Sequence, residues 1–347
     1  MSEDSLKEDL KKVGIENDPS KRSASFIMID DQPKVSFARG VEILSTKEAL
    51  KRYGWLEEFS WKLVERQEGD FDGYFIRVPR GVKVEFPVEA CLYLKRIKSQ
   101  NVHNIVIVEE NAELNLITGC TSERLSGVHY GISEFYVKRN AKLTFTMIHN
   151  WKEENEVLPK TGIKVEENGV FINNYILLSP VRYLKSYPTA YLDRNAKAIL
   201  SSVVVGFENS EIDLGSRVYL NGENSSAEIV SRSISRGGKI VARGHLIGNS
   251  ENVRGHLECK GMIIKEGVIH AIPELEARNP NVDLSHEAAI GKIAEDEIFY
   301  LMTRGLSRDE AVSMLIRGFM EIDVKGLPEV LKREIDKAIE LVERALI

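Results

Sequence analysis

The chain has 347 residues, 43% of them hydrophobic and 29% charged, an ordinary globular composition with enough apolar side chain for a sizeable core. A net charge of −6 with Lys and Arg scattered along the chain argues against nucleic acid as the main partner. No apolar run is long enough to cross a bilayer, and the polar start "MSEDSLKEDLKKVG" lacks the apolar stretch of a secretory signal, so the expected location is the cytoplasm.

Residues 1–72 carry helical signals, among them "STKEALKRYGWLEEF", where Ser45 and Glu48 have the spacing of a capping box. Residues 73–278 change texture to short alternating runs such as "NIVIVEE", "AELNLITG", "AKLTFTMI" and "AILSSVVVG", which predict strands. The runs share a lead-in, as in "ENAELNLI", "RNAKLTFT" and "RNAKAILS". From Asn209 through Asn224 and Gly238 to Asn252 the spacing is about 14 to 15 residues. A fixed period of this kind predicts stacked repeats, a β-solenoid whose turns share one core and which places Ile229, Ile234 and Ile240 in it. A sandwich or jelly roll built from hairpins is the alternative.

Residues 279–347 return to a helical period. Gly305 falls where a helix C-cap belongs, and Ser307 with Glu310 makes a second capping box. Pro328 opens a last helix with Val330, Leu331, Ile335, Ile339 and Val342 on one face. Such a helical module would cover the unpaired edge of a solenoid's last turn.

Cys91, Cys120 and Cys259 lie far apart without a C-x-x-C pair, so neither a disulfide framework nor a closed four-thiolate site is available within one chain. A lone cysteine is most often a small buried hydrophobe. On a strand, Leu257 and Cys259 point one way and Glu258 and Lys260 the other. Arg232, Arg236, Lys239 and Arg243 recur along neighbouring strands and suggest a solvated basic face. No G-x-x-x-x-G-K-[ST] occurs, so any ATP hydrolysis must come from a partner.

"SHEAAIGKIAEDEIFYLMTRGLSRDEAVSMLIRGF" resembles the C-terminal signature of the SufB/SufD family, scaffold subunits of the SUF iron–sulfur assembly system. Upstream, "PRGVKVEFPVEACLYLK", "ITGCTSE", "GVHYGISEFYVKRNAKLTF", "HNW" and "ENVRGHLECKGMII" are similar to blocks of a SufB chain and fall in the same order. The resemblance implies a mainly β fold, a right-handed parallel β-helix between helical terminal regions, with dimerisation through the core. It also implies a SufC-type ATPase docked on the C-terminal helices, through Phe299, Tyr300, Arg304, Gly305 and Phe319. "HEA" at 286–288 and "LECKGM" are closer to SufB than to SufD, and imply cluster assembly at Cys259 and Glu287 with His286 beside them. "TGCT" implies Cys120 as sulfur acceptor, and His129, His149 and Trp151 match places that line a sulfur-transfer path; packing within a β-core is the alternative for these three. The N-terminal cysteine cluster of some relatives is missing and Ser285 stands where SufB often carries glutamate, which fits a short homodimeric subunit.

The expected role is therefore a scaffold rather than an enzyme, carrying a transient iron–sulfur cluster. Its expected partners are the ATPase, a second copy or a paralogue, a sulfur donor and apo-protein acceptors. Thiolate combined with carboxylate or imidazole holds iron more labily than four thiolates, as a cluster that must be released requires. Of His286 and Glu287 one needs to face Cys259, and the expectation is Glu287. Three other readings compete. A SufD-like subunit would lack its own cluster site. A carbohydrate-active solenoid would need a repeated carboxylate pair, which residues 209–270 do not show. A purely structural interaction protein would tolerate loss of Cys259 and Glu287.

Overall fold

Asparagines turn this chain. Asn111, Asn140, Asn168, Asn195, Asn224 and Asn252 all hold a left-handed backbone, with φ between 56° and 60°. Asparagine tolerates that conformation better than other residues with a Cβ. Their amides also bond to one another: Asn140 donates to Asn111 at 3.1 Å, Asn168 to Asn140 at 3.0 Å and Asn195 to Asn168 at 3.0 Å. Successive members are 27 to 29 residues apart, and that interval is one full turn of a β-solenoid of about eight turns. The spacing of 14 to 15 residues in the sequence is a half-turn: Asn209, with φ of 64°, and Gly237, with φ of 97°, turn the chain at the opposite corner.

The computed structural model describes residues 3–16, 18–264 and 266–320. Each turn contributes one strand to each of two sheets. The first sheet runs, in spatial order, through Ala24–Ile29, Val88–Leu94, Glu113–Ser122, Lys142–Asn150, Val170–Leu177, Lys197–Phe207, Ser226–Arg236, Val253–Ile263 and Val282–Gly291, all parallel. The second sheet stacks the return strands, ending with Glu211–Leu220, Lys239–Gly248 and Val268–Ala277. Alternation sends one face of every strand into the shared lumen. Phe135, Phe145, Phe171, Leu200, Ile229, Ile240 and Leu257 meet there in a single cluster.

Two sequence expectations shift. Ile234 is an odd number of residues from Ile229, so it points outward and packs beneath the C-terminal helices with Val203, Val205 and Phe207. The first 72 residues are also not purely helical. Besides helix α1 (Glu3–Lys12) and helix α2 (Thr46–Arg52), they supply strand Ala24–Ile29, which extends the first sheet, and strand Glu42–Ser45, which edges the second. The segment after α1 lies against the outside of the first sheet, where a Cβ on Gly119 would stand 2.4 Å from Val13. At the far end the strand ladder runs past residue 278 as far as Gly291, before helices α3 (Glu295–Thr303) and α4 (Arg308–Met320).

Of the two expected capping boxes, the one at Ser307 forms in full and the one at Ser45 forms only its N-cap half. Ser45 Oγ accepts from the Glu48 N–H at 3.2 Å, while Ser307 and Glu310 bond reciprocally, at 3.3 and 2.7 Å. Gly305, with φ of 98°, ends α3. The final helix opened by Pro328 lies outside the described residues. The basic residues do not form a common charged face: Arg232 pairs with Glu258, Lys239 with Glu211 at 3.2 Å and Arg243 with Asp213 at 2.6 Å, and Arg236 lies over the Phe207 ring. Helices α3 and α4 pack on the outer face of the first sheet through Ile298, Ala311, Val312 and Ile316 rather than across its end. Among the described residues, strands Val282–Gly291 and Val268–Ala277 consequently each have one strand neighbour, and their Val268, Leu275 and Ile290 side chains are exposed. Among the described residues no helix is long and apolar enough to cross a membrane.

Candidate functional site

Parallel register gives the lumen a property that no single strand has. Residues that face inward on successive strands form straight columns, one rung about 4.8 Å from the next. Along the first sheet one column reads Thr118, Met147, Tyr175, Ser202, Ser231, Cys259. Its neighbour reads Cys120, His149, Leu177, Val204, Ser233, Gly261. Cys120 and Cys259 thus stand in one lumen, five strands apart, or about 24 Å along the ladder.

At the Cys120 end the interior turns polar. The Cys120 thiol, fully buried, donates to Met147 Sδ at 3.6 Å. Beside it His149 Nδ1 meets the Tyr175 hydroxyl at 2.9 Å. The Trp151 ring lies between two imidazoles, 5.1 Å from His129 and 5.6 Å from His149. Gln100 donates its amide N–H to the Asp30 carbonyl at 2.7 Å, which aims its Oε1 at His129 Nδ1, 3.0 Å away. That fixes the tautomer: His129 carries its proton on Nδ1 and presents a bare Nε2.

Burial decides the charges here. It pushes the Cys120 thiol well above its ordinary range, with the nearby Cys91 thiol adding to the shift. It lowers His129 to about 4, and it drops His149 well below the usual imidazole value, helped by His129. Both imidazoles are neutral at pH 7. Trp151 Nε1 is buried and has no hydrogen-bond partner among the described residues.

Midway along the column a narrow cavity is lined by Asn173, Tyr175, Ser202, Leu214, Ile229 and Ser231. Cys259 follows Ser231 in the column, with Ala288 of the last strand beyond it, and is 2% exposed. Burial pushes its thiol up to about 11, and the Glu258 charge pushes the same way. At pH 7 roughly one such thiol in 10,000 is ionised.

Strand Val282–Gly291 pairs Leu257 with His286, Glu258 with Glu287 and Cys259 with Ala288. Glu287 is therefore not on the face of Cys259. Because side chains alternate, it stands on the outer face beside Glu258, and its carboxylate reaches Lys260 Nζ at 3.4 Å. His286 has the register that faces inward, two residues before the position opposite Cys259. On the outer face Glu258 also bonds Lys260 at 2.8 Å and pairs with Arg232, and these partners outweigh burial to hold its carboxyl below the ordinary range. His256 Nδ1 meets Ser285 Oγ at 2.9 Å. Cys91 lies on the opposite face of the first sheet from Cys120, under α1 with Leu10, Val13 and Tyr93.

The expected partner-binding residues divide. Phe299 and Tyr300 are 67% and 56% exposed, and Arg304 lies over the Tyr300 ring at 5.2 Å. Gly305 shapes the α3–α4 turn, whereas Phe319 packs against the cluster that fastens α4 to the sheet. The sequence reading missed Met147, Tyr175, Ser202 and Ser231. Their signal is the 27-to-29-residue interval that separates them from one another and from Cys259.

Residues 93–319 match the family described as SUF system FeS cluster assembly, SufBD core domain. The chain is 58% identical to an iron-sulfur cluster assembly SufBD family protein of Archaeoglobus fulgidus, over 98% of this chain and 96% of the relative. A homologous SufBD family protein of Methanothermobacter thermautotrophicus is 43% identical, over 97% of this chain and 87% of the relative. The iron-sulfur cluster assembly protein SufB of Bacillus subtilis is 31% identical, over 87% of this chain and 69% of the relative.

Proposed function

The chain belongs to the SufB/SufD family of iron–sulfur cluster assembly proteins, and from that premise we propose that it is a SufB-like scaffold on which a nascent cluster is built. Cys120 takes the outer sulfur of a donor persulfide, the donor's thiol leaving, and that sulfur passes on to the Cys259 thiol, which returns Cys120 to its thiol form. The observation that supports this reading is that Cys120 and Cys259 face one lumen on neighbouring interior columns, five strands apart. A SufD-like structural subunit has no need of two buried thiols facing one lumen.

The outward position of Glu287 divides the labour. Cys259 serves sulfur on the inside of the wall and Glu287 serves iron on the outside, with His286 at the free strand edge between them. One chain has too few thiolates to close a cluster. The two edge strands, uncovered among the described residues and with Val268, Leu275 and Ile290 exposed, are the surface through which a second copy or a paralogue supplies more. Phe299, Tyr300 and Arg304 present an aromatic patch to a SufC-type ATPase. Burial holds Cys259 protonated and inert until ATP-driven movement opens the last turn. A sulfur donor and apo-protein acceptors complete the cycle.

Anaerobic reconstitution with iron and sulfide tests the assignment. Cys259→Ser and Glu287→Ala each lose most of the bound iron and sulfide while folding and self-association persist; His286→Ala loses less, and Cys91→Ser stays near wild type. A Cys259→Ser protein holding a full cluster refutes the site.

A further inference from the structure

We propose that His256, Glu258 and Glu287 form a divalent-metal site on the outer face of the last turn, a docking point for ferrous iron separate from the thiol of Cys259. The three side chains bring one imidazole nitrogen and two carboxylate oxygens within 4.8 Å of one another. Two donors about 2.1 Å from one ion sit at most about 4.2 Å apart, so side-chain shifts on the order of an ångström close the set around an ion. Glu287 projects from an exposed edge strand and is free to make that shift. One nitrogen with two carboxylates, and coordination positions left for water, suits Fe(II) or Mn(II) better than a soft thiolate-seeking ion. His256 Nδ1 is engaged by Ser285 Oγ, and an imidazole with one nitrogen tethered presents the other in a fixed direction.

Two cations hold the set in its metal-free form. Arg232, its side chain 16% exposed, pairs with Glu258, while Lys260 reaches Glu258 at 2.8 Å and Glu287 at 3.4 Å. Their two positive charges balance the two carboxylates, so an incoming ion must displace one of them. Lys260 is the one that can leave. Its ammonium is on a flexible stem and one-third exposed, so its ion pair is weak and easily displaced. Arg232 stays and keeps Glu258 ionised. Since 256 and 258 alternate with 257 and 259 along one strand, only the thickness of a single strand separates the metal from the thiol. The site rests on the proposed scaffold role only for the choice of iron, and its geometry stands without it.

The test is an anaerobic titration of the full-length protein with Co(II), a spectroscopic stand-in, and with Fe(II), in the absence of sulfide. One ion is expected per chain, with weak ligand-field absorption and no intense sulfur-to-cobalt charge-transfer band. His256→Ala and Glu287→Gln should each weaken binding about tenfold or more, and Lys260→Ala should tighten it about three- to tenfold by removing the competing ammonium. Cys259→Ser should leave it unchanged. Glu287 lies on the exposed edge, so its variant reports on the site even if Glu258→Gln, which strands Arg232, fails to fold. Absence of stoichiometric binding overturns the proposal, as does binding indifferent to His256→Ala. A thiolate band that vanishes in Cys259→Ser also overturns it while leaving the cluster assignment intact, whereas loss of reconstituted cluster without loss of Co(II) binding affects only the scaffold chemistry downstream.

Discussion

His129 shows how a single side chain can tie the lumen to pH. Its folded value of about 4 lies below its ordinary 6.5 because burial penalises the imidazolium. The unfolded chain binds that proton first as pH falls, so stability is full above pH 6.5 and is lost progressively between 6.5 and 4. The loss attributable to this group is roughly 3 kcal/mol at the acid end. His149 is displaced in the same direction and adds to the slope. Denaturation measured at steps from pH 7 to pH 4 should therefore show a steep decline that is shallower in His129→Gln. An equal slope in the two proteins would contradict a neutral buried His129. The same neutral imidazoles place no fixed positive charge beside the Cys120 thiol, which burial holds protonated.

At the scale of the repeat, the asparagine corner does two things that substitution can separate. Asn168 sits at φ of 57° and bonds the asparagines of the turns on either side. Asn168→Gly keeps the backbone and loses the bonds, a cost of about 1–2 kcal/mol. Asn168→Ala loses the bonds and keeps a Cβ in the left-handed region without asparagine's polar compensation, for about 1–2 kcal/mol more than glycine. Guanidinium unfolding should rank wild type above Gly above Ala; an Ala variant as stable as the Gly variant would mean that the corner imposes no backbone demand. The alternating runs and recurrent asparagines made stacked turns readable from the sequence. The length of a turn was not, because both corners carry similar polar lead-ins and the half-turn imitates a repeat. Taking the half-turn as the unit also hid the columns: Tyr175, Ser202 and Ser231 are ordinary strand residues until a period near 28 aligns them with Met147 and Cys259. Glu287 was misplaced for a related reason. Composition and motif put it near Cys259, but a one-residue difference in register decides which side of a wall it serves.

For the whole molecule, the solenoid places two buried thiols, Cys120 and Cys259, in one packed interior, five strands apart. The N-terminal segment covers one stretch of the outer wall and α3 and α4 another, while among the described residues the two edge strands of the last turn carry no cover. Recognition of the family supplied the candidate residues, and the fold supplied the connection between them. The claim at its centre is that sulfur reaches Cys259 by way of Cys120. It is tested most directly by supplying the protein anaerobically with a persulfide donor and mapping sulfane sulfur on each cysteine by mass spectrometry. The account predicts persulfide on both Cys120 and Cys259 of the wild type and none on Cys259 of Cys120→Ser. Wild-type levels of persulfide on Cys259 in that variant would contradict it.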